Sequence, residues 1–349
     1  VDFELDDDQH ALQEAVRDLV DKECPPALVR AVVMGEDDGS GLWKTLVDLD
    51  WPGLTVPEAD GGTGATAVEL ALALEELGRG GDPTPFLATT SQFVPLVREA
   101  APAAAGELLV AVCGGGTGAA AWSTSVVARP SGDDWELSGE ATAVIDADRA
   151  DELAVVTDAG VFVVPAGAFT ATRRTTFDAS FHLADVVLDG AVVPAGRASI
   201  GADVELARYE AVTGLAATMV GACERVLELV MVHVKERHQF GVPIGSFQAV
   251  KHLVVDSFVA IQRARALYQY AALTVAERDE RAGIAASMAK AAAGDCQRVV
   301  SRHGVQLFGG LGFTWENDLQ LFVRRAKVAE PLLGRSSEHR ARVARDTIA

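Results

Sequence analysis

The run Arg237-His238-Gln239-Phe240-Gly241-Val242-Pro243-Ile244-Gly245-Ser246-Phe247-Gln248 concentrates side chains suited to a nucleotide. Arg237 carries a fixed fork of N–H donors that matches a pyrophosphate. Phe240 offers a flat face for a ring, and Gln248 can both donate and accept at a nucleotide edge. Gly241, Pro243 and Gly245 turn the chain tightly. The same residues also suit a plain helix-to-helix loop with a solvated Arg and a core Phe, and on their own they leave both readings open. In a second run, Gln306-Leu307-Phe308-Gly309-Gly310-Leu311-Gly312-Phe313, the glycines permit close approach of backbone to a ligand. Taken alone, it reads rather as a helix C-cap followed by a turn. It does not follow a strand, as a G-x-G-x-x-G dinucleotide fingerprint would.

Composition removes other chemistries. The chain has 349 residues, with 30 basic against 50 acidic side chains and a net charge of −20. Such a surface repels nucleic-acid phosphates and anionic membranes. Cys24, Cys113, Cys223 and Cys296 have neither zinc-site nor C-x-x-C spacing, and the histidines form no H-x-x-x-H pair, so no metal site is expected. No run of about 18 uncharged apolar residues occurs, so no membrane span is expected. The acidic start, Val1-Asp2-Phe3-Glu4-Leu5, lacks the basic-then-apolar layout of a secretory signal. A cytoplasmic protein with reduced, buried thiols is the expectation.

Three textures succeed one another along the chain. Residues 1–107 read as helices, with Leu12, Val16, Leu19 and Val20 at helical spacing and a strong helix from Ala67 to Leu77, stopped by Gly78-Arg79-Gly80-Gly81. Residues 108–198 carry short β-branched runs separated by turn formers, as in a small barrel or sandwich. Residues 199–349 return to long helices: Val204 to Glu236, then Phe247 to Glu277 with Ser246 as N-cap, then Gly283 to Leu307 and Leu319 to Val328. Four such helices suit a bundle. Both chemistry-bearing runs lie where bundle helices end.

These runs are also family signatures. Arg237-x-x-Phe240-Gly241 with Gln248, and Gln306-x-x-Gly309-Gly310-x-Gly312, resemble those of the acyl-CoA dehydrogenases. So do the Phe3-Glu4-Leu5 opening, Trp51-Pro52-Gly53-Leu54-Thr55-Val56-Pro57-Glu58 with Gly61-Gly62, and Glu75-Glu76-Leu77-Gly78. The resemblance covers essentially the whole chain. It implies an α+β fold with an N-terminal helical domain (1–107), a middle β-barrel domain (108–198) and a C-terminal four-helix bundle (199–349). It also implies FAD shared across a subunit interface. Arg237, Phe240, Gln248, Gln306 and Gly310 would reach the ADP half of an FAD whose flavin sits in the neighbouring subunit.

The flavin side departs from the family. Where members carry a run like Thr-Glu-Pro-x-Ala-Gly-Ser-Asp, this chain has Cys113-Gly114-Gly115-Gly116-Thr117-Gly118-Ala119-Ala120. The family Trp that packs on the flavin aligns with Ala143, and the Thr that bonds flavin N5 aligns with Ile145. The two family positions for the catalytic base fall on Leu333 and Ala211. Glu330 and Glu210 lie nearby as displaced candidates, although one residue along a helix is a rotation of about 100°. The plain alternative for each is a solvated or salt-bridged surface Glu.

The resemblance therefore points to one subunit of a heterotetrameric (α2β2) acyl-CoA dehydrogenase of the actinobacterial steroid type. Its partners would be a paralogous catalytic subunit, an acyl-CoA substrate and an electron-transfer flavoprotein. The alternatives are a self-sufficient homo-oligomer using Glu210 or Glu330, and a flavin-free structural subunit.

Overall fold

Asp6 opens the first helix by a reciprocal cap: its carboxylate accepts from the Gln9 amide (2.8 Å), and the Gln9 side chain accepts from the Asp6 amide (3.2 Å). The computed structural model describes residues 5–122 and 125–348, so Phe3 and Glu4 of the opening motif lie outside the described residues. The N-terminal part holds α1 (Asp7–Glu23), α2 (Pro26–Met34), α3 (Ser40–Asp48), α4 (Ala67–Gly80), α5 (Phe86–Ala88), a π-helical turn (Thr89–Phe93), α6 (Val94–Ala100) and α7 (Ala105–Cys113). The middle part holds β1 (Gly118–Ala121), β2 (Val127–Ser131), β3 (Asp134–Ile145), β4 (Glu152–Thr157), β5 (Gly160–Pro165), β6 (Thr170–Arg173), β7 (Leu183–Val193) and β8 (Ala198–Ile200). The C-terminal part holds α8 (Glu205–Glu236), the two-residue strands β9 (His238–Gln239) and β10 (Val242–Pro243), α9 (Gln248–Ala276), α10 (Ala282–Phe308), α11 (Leu319–Ala329) and α12 (Ser336–Ile348).

The expected middle β region takes the form of two four-stranded sheets, ordered β1-β4-β5-β8 and β2-β3-β7-β6. They enclose one apolar core, in which Leu153, Val155, Phe162 and Val164 of the first sheet meet Leu137, Ala141, Ala184 and Val186 of the second. Strand alternation produces this.

The described chain forms two compact units. One takes the residues up to Asp37, Ala71–Asp82 and everything from Val212 onward; the other takes Asp38–Leu70 and Pro83–Ala211. In the first unit, α4 runs through Gly78 to Gly80 instead of stopping at Leu77. Gly78 is there for packing and not for termination. A Cβ on it would stand 2.3 Å from the Thr218 carbonyl oxygen, and one on Gly221 would stand 1.8 Å from the Glu75 carbonyl oxygen. The two glycines let the backbones of α4 and α8 touch. Gly221→Ala is therefore expected to cost about 3 kcal/mol or more, read as a lowered urea midpoint with an unchanged denaturant slope.

Beside this crossing lies a buried charge lattice. Glu76 (0% exposed) accepts from Arg17 (2.8 and 3.1 Å) and Arg79 (2.8 Å), and Arg79 reaches on to Asp21 (2.7 Å) and Glu228 (3.2 Å). Glu75 accepts from Arg265 (2.8 Å) and from the Tyr268 hydroxyl. The Glu75-Glu76-Leu77-Gly78 signature thus stitches α1, α4, α8 and α9 together.

Candidate cofactor-binding site

Helix α8 ends where Arg237 donates its amide to the His233 carbonyl, and the chain then folds back on itself. β9 and β10 pair antiparallel, Gln239 with Val242 and His238 with Pro243. The two residues between them, Phe240 (φ +53°) and Gly241 (φ +81°), are both left-handed. That is the geometry a two-residue hairpin demands, and it is costly at Phe240. Phe240 is 93% exposed, so the core-Phe reading of this loop is overturned; the nearest aromatic is Phe247, edge-on at 6.2 Å. Arg237 is exposed and makes no ion pair among the described residues. His238 is turned onto its own backbone, its Nδ1 lying 2.9 Å from the Glu236 carbonyl. Ser246 does not cap α9: its hydroxyl donates to the Pro243 carbonyl (2.7 Å), and Gln248 is the first helical residue behind Phe247.

The second run ends α10 at Phe308, and Gly309 (φ +61°) breaks the helix into a short 3₁₀ turn, Gly309–Phe313. Gly312 has an internal reason to be glycine, because a Cβ there would lie 2.8 Å from the Val305 carbonyl oxygen. Gly310 has none: a Cβ would meet nothing within 4 Å. Gln306 is exposed, as is Phe313 beyond the turn. The structure brings the two runs to one end of the same unit. His233, one helical turn before Arg237, stacks on Phe308 at 4.2 Å and 12°. Val230, Val234 and Leu307 pack beneath with Ile244 and Val250. Burial, followed by the Arg237 cation, pushes the His233 imidazole below its ordinary range, partly offset by the Glu236 carboxylate.

The segments aligned with the flavin side are packed on themselves. Cys113 ends α7, and the amides of Gly114, Gly115 and Gly116 return to the carbonyls of Val110, Val112 and Ala111. Ala119 and Ala120 are core residues of β1, and a Cβ on Gly118 would collide with the Phe93 ring. Ala143 (φ +55°) sits on a bulge of β3 and donates its amide to Asp185 (3.1 Å); Ile145 is buried.

Neither candidate base is a surface carboxylate with a free hand. Glu210 is 3% exposed and accepts from Arg98 at 2.6 Å, so the surface reading is corrected for it. Its partner lies 112 residues earlier, and nothing in the local pattern announces the pair. Ala211 beside it is fully buried. Glu330 accepts from the amide (3.1 Å) and hydroxyl (2.8 Å) of Ser336. Burial alone would raise its carboxyl, but these bonds hold it below the ordinary range. Leu333 is left-handed (φ +54°), and its carbonyl faces His339 Nε2 at 2.9 Å.

The loop around Leu333 is fastened by Lys290, a residue the sequence reading passed over. It is fully buried and donates to the carbonyls of Glu330 (2.7 Å) and Gly334 (2.9 Å). Burial pushes this ammonium down to about 8 from 10.5, partly offset by the Glu330 and Glu338 carboxylates. Between those values the unfolded chain binds the extra proton, so stability from this site rises with pH. Wild type is expected to gain on Lys290→Met as pH is raised from about 8 to 10.5, measured as the difference in urea midpoints. A constant difference would contradict the assignment.

A helical N-terminal part, a two-sheet middle part, a long-helix C-terminal part and an outward hairpin of this kind define an acyl-CoA dehydrogenase fold. The acyl-CoA dehydrogenase N-terminal domain model matches residues 6–116, and the C-terminal domain model matches residues 210–348. The chain belongs to the acyl-CoA dehydrogenase family, whose members are FAD-binding flavoprotein oxidoreductases. It is 32% identical over 341 residues to the acyl-CoA dehydrogenase IpdE2 of Mycolicibacterium smegmatis, covering 97% of this chain and 98% of that one. Among solved structures it is similar to a chain of the ChsE4-ChsE5 complex from Mycobacterium tuberculosis, with 27% identity, TM-score 0.92 and coverage of 100% and 99%. It is also similar to a variant of the Tcur3481-Tcur3483 steroid ACAD, with 27% identity, TM-score 0.88 and coverage of 98% and 99%. No helix among the described residues is long and apolar enough to cross a membrane.

Proposed function

We propose that this chain is one subunit of a heteromeric acyl-CoA dehydrogenase and completes FAD sites held mainly by a paralogous partner. In this reading the bundle, residues 199–349, presents Arg237, Phe240, Gln248, Gln306 and Gly310 to the ADP half of the cofactor. Arg237 would fork onto the pyrophosphate, and Phe240 and Gln248 would take a ring face and a polar edge. Gly310 would let the backbone come close. The observation that carries the proposal is the outward presentation of this end: an aromatic held in a costly turn with 93% of its surface exposed, beside an Arg without an ion pair among the described residues.

These ADP-side residues fit the cofactor. The flavin-side residues of this chain's middle domain, residues 108–198, do not: Ala143 has no ring to stack, and Ile145 has no group to hydrogen-bond. Bound FAD supplies the hydride acceptor of the family's α,β-dehydrogenation. With Ala211 and Leu333 at the base positions, and with Glu210 and Glu330 both engaged, the carboxylate that takes the α-proton belongs to the partner chain. Two of the similar proteins support the assembly and the substrate class, one being solved as a two-protein complex and one being described as a steroid ACAD. We take the substrate to be a bulky, steroid-derived acyl-CoA, with electrons leaving through an electron-transfer flavoprotein.

Expression alone and with the paralogous dehydrogenase gene tests the proposal. Yellow, active protein should appear only when both chains are made. Activity from this chain alone would sink it in favour of a homo-oligomer. A stable complex without flavin absorbance would make the chain a structural subunit.

A further inference from the structure

Three elements of the bundle meet at a polar cleft of about 310 Å³: the middle of α10, the end of α11 and the start of α12. Glycine sets the approach. A Cβ on Gly294 of α10 would stand 1.8 Å from the Ser336 hydroxyl oxygen, so the first turn of α12 lies directly on α10 there. Four cations line the cleft, Arg298, Lys327, Arg335 and Arg340, against two carboxylates, Asp295 and Glu330. That is a net charge of +2 in a chain whose total is −20. Both carboxylates are already engaged. Asp295 accepts from Arg340 at 2.8 Å and from Arg298 at 3.4 Å. Glu330 accepts from the amide and hydroxyl of Ser336, and so closes the N-terminus of α12. Burial raises its carboxyl, while the Ser336 bonds, then Lys290 and Arg335, hold it down, which places Arg335 within electrostatic reach. Lys327 and Arg335 are both exposed and form no ion pair among the described residues.

We propose that this cleft binds a phosphomonoester dianion, held by the Arg335 fork and the Lys327 ammonium, with Arg298 and Arg340 adding to the field. A net charge of +2 matches a dianion, and a planar fork beside a compact ammonium suits phosphate oxygens. The volume lies at the lower end of small-molecule sites, so a phosphate with at most a small group attached fits. The cleft is separate from the hairpin end of the bundle: Gln306 follows Asp295 by 11 positions on α10, about 16 Å of helix axis. The inference therefore goes beyond the cofactor reading and does not depend on it. Lys327 and Arg335 lie on either side of the turn that carries Leu333, so one shared anion ties the two sides of that turn together.

The test titrates the full chain calorimetrically with inorganic phosphate, ribose 5-phosphate and acetate at matched ionic strength. Phosphate is expected to bind one saturable site at millimolar concentration or below, and acetate about tenfold more weakly or worse. A tighter fit of ribose 5-phosphate would identify a sugar phosphate as the ligand, and equal affinity would identify the phosphate group itself. Lys327→Gln combined with Arg335→Gln should weaken phosphate about tenfold or more, while Arg335→Lys should keep most of the binding. Both side chains are exposed, so neither change should lower the melting temperature without phosphate. Arg237→Ala, at the hairpin, should leave phosphate binding as it is. No saturable site, equal binding of acetate, or wild-type affinity in the double variant would overturn the inference. Loss of phosphate binding in Arg237→Ala would overturn it too, and would move the phosphate to the hairpin that the cofactor reading assigns.

Discussion

Glu76→Ala is expected to remove about 3–5 kcal/mol of folding stability, seen as a large fall in urea midpoint. The reason is what the substitution leaves behind. Arg79 is 3% exposed along its side chain and Glu76 is its buried neighbour one helical turn away, at 2.8 Å. Without Glu76, the guanidinium keeps only Asp21 and Glu228, both far more exposed. A buried cation left with only solvent-exposed partners loses the counter-charge that shared its burial, which costs more than the pair contributed. Glu228→Ala provides the internal contrast. Its carboxylate is 32% exposed and screened by solvent, so removing it should cost about 1 kcal/mol or less. Comparable losses from the two variants would show that burial does not set the scale here.

Arg237→Ala is expected to lower FAD retention in the assembled complex by about ten- to a hundredfold, the worth of one charge-assisted hydrogen bond, while leaving folding untouched. The guanidinium makes no ion pair among the described residues and its side chain is exposed, so the fold does not depend on it. The readout is flavin absorbance per protomer after gel filtration, beside an unchanged melting temperature. Unchanged occupancy would refute the role assigned to Arg237. Loss of stability instead would mean the side chain holds the hairpin.

The two chemistry-bearing runs were legible because tight turns leave a composition. Gly241 and Gly309 adopt left-handed backbone where glycine is cheapest. What the runs do with their aromatics was not legible. Whether Phe240 faces the core or solvent depends on the two-residue length of the hairpin, and only the register of Gln239 with Val242 settles it. Gly78 read as a stop signal because a helix C-cap and a helix crossing use the same residue. The crossing partner, Thr218, is 140 positions away and invisible to a local pattern. Ser246 read as an N-cap for the same kind of reason, since its hydroxyl had a closer acceptor in Pro243. Glu210 and Lys290 show the general limit. Each is decided by burial and by long-range partners that no spacing rule contains.

The crossing of α4 with α8 also bears on synthesis. Glu75 and Glu76 leave the ribosome early, but Arg265 and Tyr268 follow Glu75 by 190 and 193 residues. At about 5–20 residues per second, the nascent chain waits roughly 10–40 s before Glu75 can meet them. During that time the Glu75 carboxylate lacks its partners, and until α8 is made the bare glycine face of α4 has no helix to close on. The unit built from both ends of the chain is therefore the last to be completed. A chain truncated before α9 should remain a chaperone client in pulse-labelled translation and should not be released as a folded fragment.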